Sequence, residues 1–248
     1  MHLHALRAII RRPMQCELIE TDTAEKFIKE AANLLEKQIA SALVKSGRCV
    51  LGLSGGKTPL DIYAALSERP LEWQNVWVFL VDERYVAPDH EESNQRIIKQ
   101  TLLDKVGLPP DHLIAPDTWK ALPECVDLYE AQLKDLFAKG QPDVVTLGMA
   151  EDGSIGSLFP PLAPEAFEPG RLAVSTHKDD LSVPDRITVT IPVLTEALAP
   201  VFLLAGRLKK RTWTKMLEGG LNSRDWPAHA VLATGRAIVV AEWPESGE

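Results

Sequence analysis

Leu51-Gly52-Leu53-Ser54-Gly55-Gly56-Lys57-Thr58-Pro59 is the stretch on which the fold turns. Arg48-Cys49-Val50 leads into it as a short apolar run that reads as a buried strand. Leu60-Asp61-Ile62-Tyr63-Ala64-Ala65-Leu66 follows with apolar residues at helical spacing. The order is strand, glycine turn, helix. Paired glycines let the backbone approach a ligand closely, and the free N–H groups of the next helix's first turn favour an anion, most simply a phosphate. Ser54 and Thr58 add hydroxyl donors. A nucleotide P-loop fails on spacing: its first glycine position holds Leu51, and Pro59 follows Thr58. Gly52-Leu53-Ser54-Gly55-Gly56 does satisfy the hydrolase nucleophile-elbow pattern, which makes Ser54 a formal nucleophile candidate. An elbow normally follows several strands, however, and at most about two fit upstream. A purely structural turn is the third reading.

Outward from the loop, Thr23 to Lys45 carries Phe27, Ala31, Leu34, Leu35, Ile39 and Leu43 at amphipathic helical spacing. Val76 to Val81 is a continuous apolar run suited to a parallel strand covered on both faces, with Asp82-Glu83-Arg84 at its carboxyl end, where ligands collect in open α/β sheets. A helix is predicted over Asn94–Leu103 with Ser93 as its cap, and another over 124–139 ending at Gly140. Further strands are predicted at 143–149, 171–175, 185–192 and 201–206, then a helix over 207–217, a helix or strand at 230–233 and a strand at 237–241. Strands and helices alternate without a linker or repeat. They predict a single α/β domain over 16–248, with a doubly wound, mostly parallel sheet and helices on both faces. Residues 1–15 read as a short extension.

With 27 basic and 35 acidic residues the net charge is -8. That argues against a nucleic-acid or acidic-membrane surface, so any anion site must be made locally. The chain has 3 cysteines, widely spaced and without a CxxC pair, which fits a reducing cytoplasm and indicates neither disulfides nor zinc. His2 and His4 read as surface histidines. No run approaches the roughly 20 apolar residues of a membrane span.

Taken together, the Gly52–Pro59 stretch, Asp82-Glu83-Arg84, Ser93-Asn94, Gly148 to Pro160, Arg186-Ile187-Thr188 and Gly206-x-x-Lys209 resemble, in the same order, the 6-phosphogluconolactonases of the pentose phosphate pathway, which share a fold with the glucosamine-6-phosphate deaminases. Arg84 favours the lactonase branch, since the deaminases typically carry tyrosine there. The resemblance implies hydrolysis of 6-phospho-D-glucono-1,5-lactone to 6-phosphogluconate, without metal or organic cofactor. Ser54, Gly55, Gly56 and Thr58 would hold the sugar phosphate, Arg186 and Lys209 would neutralise it, and Arg84 and Asn94 would orient the ligand. The partner is then a small phosphorylated sugar lactone or sugar acid, handled by a monomer or homodimer.

One departure cuts into the chemistry. The family motif reads Gly-Met-Gly-x-Asp-Gly-His-Thr-Ala-Ser-Leu-Phe-Pro, and this chain reads Gly148-Met149-Ala150-Glu151-Asp152-Gly153-Ser154-Ile155-Gly156-Ser157-Leu158-Phe159-Pro160. Ser154 stands where the family's general-base imidazole, with its unperturbed pKa of about 6.5, would be. A serine positions water but does not accept a proton near neutrality unaided. Asp152, Glu151, His177 and His90 are the substitutes that the sequence offers. Asp82, at its strand's end, is a further candidate catalytic residue, although such a carboxylate could equally cap a helix or pair with Arg84. The alternative is a sugar-phosphate-binding protein that has kept the cradle and lost the chemistry.

Overall fold

The computed structural model describes residues 16–218 and 222–243; the 1–15 extension, with His2 and His4, lies outside the described residues. The chain runs β1 (Glu17–Thr21), α1 (Ala24–Ser46), β2 (Cys49–Leu53), α2 (Leu60–Ser67), β3 (Val76–Leu80), β4 (Asp82–Arg84), α3 (Asn94–Ile98), a π-helical turn (Lys99–Leu103) and α4 (Asp104–Val106). It continues through β5 (Leu113–Ile114), α5 (Leu122–Phe137), β6 (Val144–Leu147), β7 (Ala173–His177), β8 (Asp185–Val189), α6 (Ile191–Glu196), β9 (Ala199–Ala205), α7 (Arg207–Glu218), α8 (Ala228–Leu232) and β10 (Ile238–Glu242).

Seven strands form one sheet in the order β1-β10-β9-β6-β2-β3-β5, and every pairing in it is parallel. Strand alternation sorts the apolar residues onto its two faces. Cys49, Leu51, Leu53, Val76, Val78, Leu80, Val201 and Leu203 point to the face covered by α1, α2 and the α3 region. Val50, Phe79, Val145, Leu147, Phe202 and Leu204 point to the other, covered by α5 to α8. Burial on both faces explains why these strands are apolar without a break. The helices follow equally local rules. Thr23 caps α1 by accepting the Lys26 N–H, and the helix buries Phe27, Ala31, Leu34, Leu35 and Ile39 on one stripe.

The expected α/β architecture, a mostly parallel sheet between helical layers, is therefore observed. Three local expectations are corrected. The segments 82–84, 171–175 and 185–192 do not extend the parallel sheet; β4, β8 and β7 (at Ala173–His177) form a separate antiparallel sheet of three strands. It packs Ala173, Ile187 and Val189 into the second core, and Val189 N–H donates to the Val81 carbonyl at 2.9 Å, so the two sheets join where β3 ends. Apolar periodicity identifies a strand but not its partner. The helix of 94–103 changes to π geometry over Lys99–Leu103. Gly140 is not the cap of α5, which ends at Phe137 with Ala138 donating to Lys134 O. Residues 228–232 settle as a helix.

Candidate active site

From β2 the chain steps outward through β3 to β5, and from β6 it steps the other way through β9 to β10. Neighbouring β2 and β6 are thus the switch point, where the loops leaving their carboxyl ends part and open a crevice. A cleft of about 270 Å³ lies there and gathers Ser54, Gly55, Gly56, Asp82, Arg84, Asn94, Ser154, Arg186 and Lys209. Residues up to 155 positions apart in sequence are brought to one wall by that topology alone. Thr58 and Asp152 stand one contact behind the lining: Thr58 Oγ1 accepts from Lys209 Nζ at 2.7 Å, and Asp152 accepts from Ser154.

The β2 loop is held from below by β6. Ser54 N–H donates to Thr146 Oγ1 at 3.1 Å, Ser54 Oγ donates to the Thr146 carbonyl at 2.6 Å, and Tyr63 Oη donates to the Ser54 carbonyl at 2.9 Å. The Ser54 hydroxyl proton is thus directed at backbone, and the side chain is buried at the edge of the cleft. The same bond removes the basis for an elbow nucleophile. What the loop presents is backbone. Gly56 adopts φ +95°, and a Cβ on Gly55 would lie 1.9 Å from Asn94 Oδ1, so Asn94 packs where only glycine leaves room.

Asn94 is itself held tightly. Its backbone N–H donates to Glu83 Oε1 at 2.7 Å, its Nδ2 to the Asp82 carbonyl at 2.8 Å, and its Oδ1 accepts from Arg84 Nη1 at 2.7 Å. Glu83 is the hidden node of this wall. Buried, it also accepts the Arg84 and Gln95 N–H groups and the Ser93 hydroxyl, tying β4 to the start of α3. Burial pushes its carboxyl up against those four donors.

The cations are short of partners. Arg186 is 7% exposed, and its Nη1 is buried without a hydrogen-bond acceptor. Burial and the like charge of Arg84 lower its pKa. Burial also lowers the pKa of Lys209, whose ammonium donates to Thr58 Oγ1. A buried guanidinium nitrogen without an acceptor is costly unless an anion completes it. Both groups line the cleft beside the Gly55-Gly56 turn, so an anion bound there offsets that cost.

The β6 loop is built differently. Ser154 is buried and gives both its N–H (2.9 Å) and Oγ–H (2.6 Å) to Asp152 Oδ1, while Lys178 Nζ lies 2.6 Å from Asp152 Oδ2. The Lys178 and Ser154 bonds outweigh burial and hold the Asp152 carboxyl below its usual range. Farther along, Ser157 sits at φ 55° and donates from Oγ to Asp82 Oδ2. Burial raises the pKa of Asp82, opposed by Ser157, Arg84 and Arg186. Sequence reasoning left out Glu83, Ser157 and Lys178 as site residues. Glu83 and Ser157 lie inside stretches already singled out; nothing local marks Lys178.

His177 is exposed and held between Asp185 (Nδ1, 2.7 Å) and Asp179 (Nε2, 2.8 Å), which raise its pKa. It lines a separate apolar cavity of about 510 Å³ and not the cleft. His90 accepts from the Glu92 N–H and is likewise absent from the cleft wall. Among the described residues, no group of three or more His, Cys, Asp or Glu side chains is placed to hold a metal ion, and no helix is long and apolar enough to cross a membrane.

An open parallel sheet with a cationic cleft at its switch point defines an α/β protein built to take a small anion. The chain belongs to the family described as glucosamine-6-phosphate isomerases/6-phosphogluconolactonase, which matches residues 22–240. It is 34% identical over 232 residues to a probable 6-phosphogluconolactonase of Dictyostelium discoideum, covering 91% of this chain and 98% of that one. It is also 34% identical over 218 residues to a 6-phosphogluconolactonase of Synechocystis sp., covering 86% and 89%. Among solved structures, the 6-phosphogluconolactonase from Plasmodium vivax superimposes with a TM-score of 0.84 at 27% identity, over 92% of this chain and 91% of that one.

Proposed function

We propose that the chain, as one domain over 16–248, hydrolyses 6-phospho-D-glucono-1,5-lactone to 6-phosphogluconate. The observation that carries this reading is Arg186, whose buried Nη1 lacks an acceptor, beside Lys209 and the Gly55-Gly56 turn. Family membership and the names of the similar proteins support the lactone as substrate. In this reading the phosphate sits on the backbone of Gly55 and Gly56 between Arg186 and Lys209. The lactone ring then extends toward Asp82, Ser154 and Ser157, with Arg84 and Asn94 forming the side wall. The pathway is the pentose phosphate pathway, the setting a cytoplasm, and the working unit a monomer or homodimer.

A second reading, phosphosugar binding without turnover, is favoured by one observation: Ser154 occupies the imidazole's place, and its neighbour Asp152 is locked by Lys178. A single measurement separates them. Purified protein is expected to consume the lactone at pH 6 to 7 faster than its spontaneous hydrolysis, and Arg186→Met to raise KM by about 10- to 100-fold, the worth of one or two charge-assisted bonds. Binding of 6-phosphogluconate without any rate above background would establish the second reading instead.

A further inference from the structure

We propose that Asp82 is the general base of this chain and activates the attacking water in place of the absent imidazole. The inference rests on the functional reading above and deepens it.

Each competing group is spent elsewhere. Asp152 gives one carboxylate oxygen to both donors of Ser154 and the other to Lys178. Glu83 is closed off by four donors. Both ring nitrogens of His177 are bound to carboxylates, and neither His177, His90 nor Glu151 lines the cleft. Asp82 is the carboxylate on the cleft wall. One of its oxygens, Oδ2, accepts from Ser157; among the described residues nothing donates to Oδ1. The carboxylate is thus oriented at one oxygen and available at the other.

The orientation is built with some care. Ser157 holds a left-handed backbone, φ 55°, which is uncommon for a residue with a side chain. Its carbonyl accepts from Thr176 Oγ1 at 2.9 Å, and the preceding Gly156 carbonyl accepts from Thr188 Oγ1. Strand residues of the small sheet therefore fix the loop that presents Ser157 to Asp82. Surrounded by protein except at the cleft, the Asp82 carboxylate is a stronger base than one in water, because burial disfavours its charged form.

The step balances without a cofactor. A water oxygen bonds to the lactone carbonyl carbon as its proton passes to Asp82 Oδ1. The tetrahedral oxyanion then collapses, the bond from that carbon to the ring oxygen breaks, and the ring oxygen takes the proton back from Asp82. The carboxylate is regenerated and the open-chain sugar acid leaves.

The test is Asp82→Asn, which keeps shape and removes the basic oxygen. The expected result is a fall in kcat of about 10²- to 10⁴-fold, with the Kd for 6-phosphogluconate by calorimetry unchanged or tighter, since a negative charge beside Arg84 and Arg186 has gone. Ser157→Ala, a milder change should the asparagine variant not fold, is expected to lower kcat several-fold with the same Kd. Three results overturn the assignment: kcat for Asp82→Asn within about threefold of the native enzyme, a loss of binding that matches the loss of rate, or a larger kcat loss in Asp152→Asn than in Asp82→Asn. Native protein with no rate above background overturns the functional reading as well, whereas an active native protein with an equally active Asp82→Asn overturns only the base.

Discussion

The loops that leave β2 and β6 flank the same cleft and have been treated differently by the sequence. The β2 loop keeps the Gly55-Gly56 turn and Thr58 on which the proposed phosphate cradle rests. Its support is buried hydrogen bonding to Thr146 and close packing of Gly55 on Asn94. The β6 loop keeps its entry glycine and its Leu158-Phe159-Pro160 exit, but it carries Ser154 where the resembled motif has histidine, and the adjoining Asp152 pairs with Lys178. In the proposed reading, binding depends on backbone and on cations from β8 and α7, so it is insulated from change in the β6 loop. Chemistry depends on one side chain with the right basicity, and the proposed base, Asp82, stands on another wall of the cleft. The comparison teaches that a sugar-phosphate site divides into parts that can change separately.

The most damaging way to break it is Gly55→Val. A Cβ there would stand 1.9 Å from Asn94 Oδ1, so either the loop or the Asn94–Arg84 bond must give way. Displacement of that order costs at least about 10²-fold in kcat/KM, to be read from steady-state kinetics alongside a melting curve that separates misplacement from unfolding.

Next in size, Ser154→His sharpens the contrast by returning the imidazole. Asp152 is placed to accept from residue 154, and the expected outcome is a rise in kcat of roughly tenfold with KM unchanged, within the range general-base catalysis supplies. An unchanged kcat would locate a second departure in the same loop. Gly156 is its candidate: the family has alanine there, and a Cβ at Gly156 would lie 2.6 Å from Val81 Cγ1.

Smallest is Ser54→Ala. The hydroxyl makes one buried bond to the Thr146 carbonyl, worth about 1 kcal/mol net. A fall in Tm of a few degrees with kcat within a fewfold of native is expected, and a serine-directed phosphonate should not label the native protein at Ser54. Labelling there would reinstate the elbow nucleophile.

Much of this was legible because it is local. The Thr23 cap and the Phe27–Ile39 stripe mark α1 without help from the rest of the chain. The unbroken apolar runs at Val76–Leu80 and Val201–Leu204 mark strands buried on both faces. The glycine turn between a strand and a helix announces an anion site for the same reason. The three-stranded antiparallel sheet was not legible, since β4 and β8 pair across about a hundred residues and each segment reads alike whichever partner it takes. Nor were the roles within the site. Nothing local shows that the Ser54 hydroxyl donates to the Thr146 carbonyl, or that Lys178, which carries no local signal at all, pairs with Asp152.

The sequence by itself determined the alternation of strands and helices, the glycine turn at Gly55 and Gly56 between a strand and a helix, and the absence of a histidine at position 154. These follow from residue type and spacing, which short-range sterics and periodicity translate directly into structure. Only the tertiary structure decided which carboxylate faces the cleft with a free oxygen. Basicity and availability are set by burial and by hydrogen bonds from distant residues, such as Ser157 on Asp82 and Lys178 on Asp152, and no local pattern encodes those.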